Sequence, residues 1–306
     1  MNRFGGPEVL EVVDLPPVEP REGEVRIRVR AAAVNPTDTV MRAGSRADMY
    51  EGVERPLVPG MELAGVVDAV GPGAGWSVGD EVVALVVPGR RGRGAQAEQV
   101  VVPASSVARL PAGASFEQGS TLPMNGLTAR LALDVLGLHP GDTVAVTGAA
   151  GAVGGYVIEL AKLDGLSVVG DASEADAELV AGLGADVVVP RGDDVASAIR
   201  EVCPQGVDGL VDAALLHAKV LPAVRDGGAI AAVRPFQGEP DRGITVHLVL
   251  VADYAEDAQA LAELSRLAGE GRLTLRVAGT FPPSEAAEAH RALEAGGVRG
   301  RNVIVF

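Results

Sequence analysis

Two textures of apolar and polar residues follow one another along the chain. Residues 9–13 and 25–34 alternate apolar with polar and are rich in β-branched side chains, the period-two pattern of half-buried strands. Pro16, Pro17 and Pro20 separate them in a stretch, 15–20, that favours loop or edge. Residues 57–70, 81–87 and 97–102 predict further short strands, with turns at Gly71-Pro72-Gly73 and Gly79-Asp80. This spacing predicts an antiparallel, barrel-like β domain. From Ser115 the texture changes. Residues 126–137 read as a helix, and then short buried strands alternate with helices: strands at 143–147, 167–169, 185–189, 207–213, 228–233 and 244–251, helices at 156–163, 175–183, 195–202 and 215–224. Such alternation implies a parallel, doubly wound sheet. A helix over 256–269, a strand over 273–278, a helix over 284–294 and a strand over 302–306 are expected to rejoin the first domain. The predicted division is 1–118 with 257–306 against 119–256, with a ligand cleft facing the carboxyl ends of the parallel strands.

The centre of the pattern is the turn after the strand at 143–147. Gly148, Gly151 and Gly154 stand where that strand ends and an apolar helix begins. A first glycine allows a tight turn, a second lets backbone approach a pyrophosphate, and a third lets helix and strand pack closely. The first N–H groups of the helix lack intrahelical partners and suit a diphosphate. A triphosphatase loop is excluded, because no Gly-Lys-Ser/Thr follows; the only lysines are Lys162 and Lys219.

Charge and composition narrow the partners. The formal charge is −15, from 26 basic and 41 acidic residues. That disfavours nucleic acid and anionic membranes, which need a basic surface. Apolar residues make up 47 %, enough for a substantial core. No membrane span and no signal-peptide core is legible, so a cytoplasmic location is expected. Cys203 is the only cysteine, so neither an internal disulfide nor a cysteine-rich zinc site is available, and it reads as a small residue near a helix end.

Several motifs in order carry a resemblance. They are Arg3-Phe4-Gly5-Gly6-Pro7-Glu8-Val9-Leu10, Val34-Asn35-Pro36-Thr37-Asp38, Pro59-Gly60-Met61-Glu62 and Gly79-Asp80-Glu81-Val82. Asn125-Gly126-Leu127-Thr128-Ala129, the run from Ala149 to Gly154, Ala286-Ala287-Glu288-Ala289-His290 and Gly300-Arg301 follow. The chain resembles, over almost its whole length, the zinc-free quinone oxidoreductase branch of the medium-chain dehydrogenase/reductase family, which includes zeta-crystallin. The resemblance implies an α/β protein: a Rossmann domain and a GroES-like barrel domain built from both ends of the chain, with hydride transfer from NAD(P)H. In zinc-dependent relatives a cysteine stands at the position of Asn35 and a histidine at that of Met61. An amide and a thioether do not replace them, so no metal is expected.

The resemblance implies roles residue by residue. Asn35 is expected near the nicotinamide ribose and the substrate carbonyl, its amide donating to an oxygen that gains charge. Thr128 is expected near the nicotinamide. Glu62 and Asp38 read as structural carboxylates. The cofactor-binding set is Gly148, Ala150, Gly151, Ala152, Val153, Gly154, Asp171, Ser173, Ala213, Val233, Arg234 and Arg301. The chain also departs from the pattern. Relatives often carry tyrosine at Val40 and Arg46, so the proton falls to Tyr50, Arg46 or water. Relatives usually have several more residues before Arg3, forming a first strand; the chain is truncated or does without that edge. Leu215-Leu216-His217 stands where relatives have a glycine-rich turn; His217 is read as a surface residue, with a cofactor-facing position as the alternative. His139, His247 and His290 receive no role.

The choice of cofactor sets resemblance against local charge. The family favours NADP(H), yet Asp171, Glu174, Asp176 and Glu178 stand where a 2′-phosphate is usually met by a cation. Two like charges ~4 Å apart repel by about 1 kcal/mol in water and about 4 kcal/mol at an effective dielectric of 20. NADP(H) is expected, with NAD(H) as the alternative. The expected function is reduction of quinones or of activated C=C bonds beside a carbonyl. An enoyl-thioester reductase and a non-catalytic nucleotide-binding sensor are the rivals. A homodimer is expected through the apolar run 244–251.

Overall fold

The computed structural model describes residues 1–88 and 93–306. The chain forms two compact units. The first comprises 1–124, 252–271 and 275–306; the second comprises 125–251 and 272–274.

The first unit is built on β1 (Glu24–Val34), where Val25, Ile27 and Val29 are buried while Arg28 and Arg30 face out. This is the alternation the sequence shows. Helix α1 (Pro36–Ala43) follows, then β2 (Glu62–Val70), β3 (Glu81–Leu85), β4 (Gln99–Pro103), β5 (Val107–Arg109) and the short α2 (Phe116–Gly119). Strand β1 pairs antiparallel with both β2 and β4, β2 with β3, and β3 with β5. Val25, Ile27, Leu63, Val67, Val82 and Val100 form the core between them. Trp76 packs against this core, its Nε1 donating to Ala104 O at 3.4 Å and the Arg109 guanidinium 5.5 Å from its ring centre. The strand expected at 9–13 does not form. Residues 7–9 make a 3₁₀ turn and 10–20 make no strand, leaving Val12 69 % exposed. Pro16, Pro17 and Pro20 lack an N–H, and among the described residues no strand pairs with this segment.

The chain passes into the second unit along α3 (Pro123–Leu136). There follow β6 (Thr143–Thr147), α4 (Ala152–Leu163), β7 (Ser167–Ala172), α5 (Ala177–Gly182), β8 (Val187–Pro190), α6 (Val195–Val202), β9 (Val207–Asp212), β10 (Val224–Ala232) and β11 (Thr245–Leu248). The six strands are parallel, in the order β11-β10-β9-β6-β7-β8. The order reverses between β6 and β9, and in such sheets ligands bind outside the carboxyl ends of the strands at that point. Cys203 packs, half-buried, against the core around Leu210, Ile230 and Ile199. The helix expected over 215–224 is instead a 3₁₀ segment, His217–Ala223, interrupted by Pro222.

After β11 the chain returns to the first unit through α7 (Ala258–Gly269), β12 (Val277–Phe281), α8 (Ala286–Glu294) and β13 (Arg301–Val305). β13 lies antiparallel beside β1 and parallel to β12. The strand expected at 273–278 starts later because 272–274 belong to the second unit, where Thr274 N donates to the Glu159 carboxylate at 3.0 Å. Among the described residues no helix is long and apolar enough to cross a membrane.

Candidate functional site

In the second unit the candidate site is the turn between β6 and α4. Gly148 has φ +67°, a left-handed conformation that favours glycine. A Cβ on Gly154 would lie 2.3 Å from Gly148 O and 2.8 Å from Ala149 Cα, so only glycine allows the helix this close. Gly151 caps α4 with no side-chain hydrogen bond, and Ala150 and Ala152 are buried beside half-buried Val153. The result is a cradle of small residues facing the start of a helix, which fits a pyrophosphate.

Asp171 is the last residue but one of β7 and is 7 % exposed. Its Oδ1 accepts from Ala149 N at 3.0 Å, and Gly148 N also donates to it. Burial pushes its carboxyl up, opposed by those two amides and by the charge of Arg191. The sequence suggested a ribose partner, but the carboxylate is folded back onto the glycine turn and braces it. Ser173 Oγ donates to Asp176 Oδ2 at 2.6 Å, so its hydroxyl is engaged too. Arg191 is a further candidate, with no signal in the local sequence pattern. The β7–β8 register sets Ala172 against Pro190, and Arg191 N donates to Ala172 O at 2.9 Å. An exposed cation thereby reaches the end of β7, some twenty residues along the chain from where it was sought. Among the described residues its guanidinium has no hydrogen-bonded partner.

On the other side of β6, Asp212 ends β9 and is 1 % exposed. It accepts from Thr147 Oγ1 at 2.8 Å, Leu216 N at 3.0 Å and His217 N at 2.8 Å, while Ala214 N donates to Thr147 Oγ1 at 3.2 Å. Leu215 and His217 have φ of +60° and +55°, left-handed values that cost about 1–3 kcal/mol each in residues bearing a Cβ. The Asp212 hydrogen bonds offset that strain. Ala213 backs onto this turn, its carbonyl carbon 3.2 Å from where a Gly148 Cβ would stand. Val233 and Arg234 follow β10 and are half-buried, and Thr128 is buried on α3.

In the first unit the candidate side chains form a buried cluster. Asn35 caps the start of α1 and is fully buried. Its Nδ2 donates to Glu62 Oε1 at 2.8 Å and its Oδ1 accepts from Arg301 Nε at 2.7 Å. The β1–β13 register explains the meeting, since Val34 lies opposite Asn302. Glu62 Oε2 accepts from Met124 N at 2.8 Å. Asp38 accepts from Asn35 N at 2.8 Å and Gly60 N at 3.0 Å. Burial pushes Glu62 up to about 7 and Asp38 up to about 7, opposed in both cases by hydrogen bonds and by the Arg301 charge. Arg301, expected at the cofactor, is committed here to Asn35. Tyr50 is half-buried and pushed up by burial and by the Asp38 charge, and Arg46 is exposed beside Asp48.

A second buried set went unseen in the sequence. Arg42 is 3 % exposed and binds Glu294 Oε1 at 2.5 Å; its Nη1 lies 3.4 Å from His290 Nδ1. His290 is fully buried, and burial and the Arg42 charge push it down to about 3, so its ring is neutral. With Nδ1 accepting from Arg42, Nε2 carries the proton and donates to Gln96 Oε1 at 3.4 Å. The only sequence signal was a histidine within the Ala286–Glu294 helix.

Residues 21–112 match the family described as alcohol dehydrogenase GroES-like domain, and 183–304 match zinc-binding dehydrogenase. A quinone oxidoreductase of Pseudomonas aeruginosa is 30 % identical over 99 % of this chain and 97 % of its own. The solved structure of an NAD-dependent alcohol dehydrogenase is 33 % identical, covering 100 % of this chain and 98 % of its own, with a TM-score of 0.86. A mycobacterial protein solved in complex with NADPH is 30 % identical, covering 100 % of this chain and 98 % of its own, with a TM-score of 0.85. The chain spans about half the length of other curated relatives, 48 % for a human synaptic vesicle membrane protein homologue.

The buried cluster predicts a pH-dependent cost for losing its cation. Glu62 and Asp38 rise from 4.5 and 3.8 to about 7 on folding. The native state therefore holds those protons longer, and stability falls as pH rises through that window. Arg301→Met removes the charge that opposes the rise. It is expected to cost about 3–5 kcal/mol at pH 8 and markedly less at pH 5, where both carboxyls keep their protons. Urea unfolding at the two pH values measures this; an equal loss at both contradicts the assignment.

Proposed function

Since the chain belongs to the medium-chain dehydrogenase/reductase family, we propose that it is a zinc-independent, NADPH-dependent reductase of quinones or of C=C bonds conjugated to a carbonyl. The observation that carries the reading is the small-residue cradle after β6, at the point where the strand order reverses, in a chain aligned end to end with a quinone oxidoreductase. NADPH, when bound, supplies a hydride from its nicotinamide. The protein supplies position. The Gly148–Gly154 turn and the start of α4 hold the pyrophosphate, and Asp171 braces the turn from behind. Arg191 meets the 2′-phosphate, the cation that the acidic run after Asp171 does not provide. Thr128 stays in the proposal as a hydroxyl positioning the nicotinamide. Asn35 stays in the proposal near the nicotinamide ribose and the substrate carbonyl: its amide is held in place by Glu62 and Arg301, and an amide nitrogen carries two N–H donors.

The residues do not fit a zinc ion. Asn35 and Met61 supply neither thiolate nor imidazole, and a buried guanidinium already occupies the cluster. Among the described residues no three His, Cys, Asp or Glu side chains come together as ligands. We further propose a cytoplasmic homodimer paired through the edge strand β11, where Leu248 and Leu250 are 45 % and 48 % exposed. Light scattering is expected to show a dimer at micromolar concentration, and a monomer overturns this.

Purified protein is expected to oxidise NADPH in the presence of quinones or enones and to keep that activity in EDTA. Nucleotide binding without turnover on any acceptor, or a requirement for stoichiometric zinc, overturns the reading. Arg191→Ala is expected to raise the KM for NADPH about tenfold and to leave that for NADH nearly unchanged, as loss of one charge-assisted contact predicts. An equal change for both cofactors removes Arg191 from the phosphate site.

A further inference from the structure

His217 is the side chain that the mechanism above leaves unused, and its setting is unusual. The reversal of strand order between β6 and β9 sends the two halves of a dinucleotide in opposite directions. By that topology a bound dinucleotide would place its adenosine half toward β7, where Asp171 and Arg191 stand, and its nicotinamide half toward β9, whose following loop is 213–217. That loop abuts the glycine turn, since Ala214 N is 3.2 Å from where a Gly148 Cβ would stand.

The imidazole on this loop is oriented by its neighbours. Its backbone N–H is held by Asp212 Oδ2 at 2.8 Å, which fixes the left-handed conformation at φ +55°. Its Nδ1 accepts from Gln237 N at 3.4 Å, in the loop that follows β10. The Phe236 ring meets it nearly edge-on, with centroids 6.0 Å apart and planes at 77°. A ring whose Nδ1 accepts carries its proton on Nε2. Among the described residues no group accepts from that Nε2–H, and His217 is only half-buried. Two loops and a buried carboxylate thus present one hydrogen-bond donor at the carboxyl end of β9. A glycine in the same left-handed position would need no such clamp and would present no donor.

We propose that His217 is a positioning residue for the cofactor, donating through Nε2 to an acceptor oxygen on its nicotinamide–ribose half. This rests on the nicotinamide-nucleotide reading above. The loop is held rigid so that the donor is already aimed before the nucleotide arrives, which lowers the ordering cost of binding.

Binding measurements test this separately from activity. His217→Gly removes the ring at a position whose backbone suits glycine, so its melting temperature is expected to stay at or above that of the unmodified protein. Its dissociation constant for NADPH, from nucleotide fluorescence, is expected to rise about tenfold, while that for 2′,5′-ADP, which lacks the nicotinamide half, stays within twofold. His217→Asn keeps a shorter donor in a residue tolerant of positive φ and is expected to fall between. NADPH affinity unchanged in His217→Gly overturns the proposal. So does an equal loss for 2′,5′-ADP, which reports a loosened turn, or an effect confined to the KM of the acceptor. If the unmodified protein binds neither NADPH nor NADH, the underlying reading fails and this proposal with it.

Discussion

The pairing of β1 with β13 is the constraint on which the first unit rests. It joins Ala31–Val34 to residues 302–305 across almost the whole chain and seats β12 and β13 beside the N-terminal strands, while Arg42 ties α8 to the same part through Glu294 and His290. Such a distant contact has a large closure entropy and must be held by something local. Apolar packing of Val34, Ala289 and Ile304 supplies part of that. The rest is electrostatic: the pairing brings the Arg301 guanidinium to Asn35 and its charge to bear on the two buried carboxyls, Glu62 and Asp38. The cluster therefore fastens the chain's two ends to one another.

The second unit is held by a different device. Its strands are consecutive and parallel, and its critical contacts are steric: a glycine turn in which helix and strand approach more closely than any Cβ permits. The carboxylates there, Asp171 and Asp212, face inward and hold backbone N–H groups of the two loops flanking the turn. Both units thus hold buried carboxyls by backbone amides, and the first adds the charge of the buried Arg301 guanidinium.

Much of this was legible in the sequence. Period-two alternation in β1, the abrupt change after Ser115 and the strand–glycine–helix run at 143–163 needed only local pattern, and each appears close to where it was read. What could not be read depends on partners distant in sequence. The apolar run at 9–13 has strand composition, but a strand exists only when another pairs with it. The helical pattern at 215–224 gave way to a 3₁₀ segment because Asp212 grips the backbone just before it and Pro222 lacks an N–H. Asp171 has the spacing of a ribose ligand, yet only the fold shows its carboxylate turned back onto Ala149. Arg191 was missed for the same reason, since β-sheet register and not chain distance brings it beside Ala172.

The single tryptophan and the single cysteine fall in different units. Trp76 lies against the strand core of the first, beneath Arg109, and Cys203 against the parallel-sheet core of the second. Intrinsic tryptophan emission is therefore blind to half of the molecule, and a denaturation curve recorded that way describes only the part assembled from the two ends of the chain. A thiol-reaction rate at Cys203 follows the other half. The chain carries its own pair of orthogonal optical and chemical gauges, enough to decide whether its halves melt together without altering a residue.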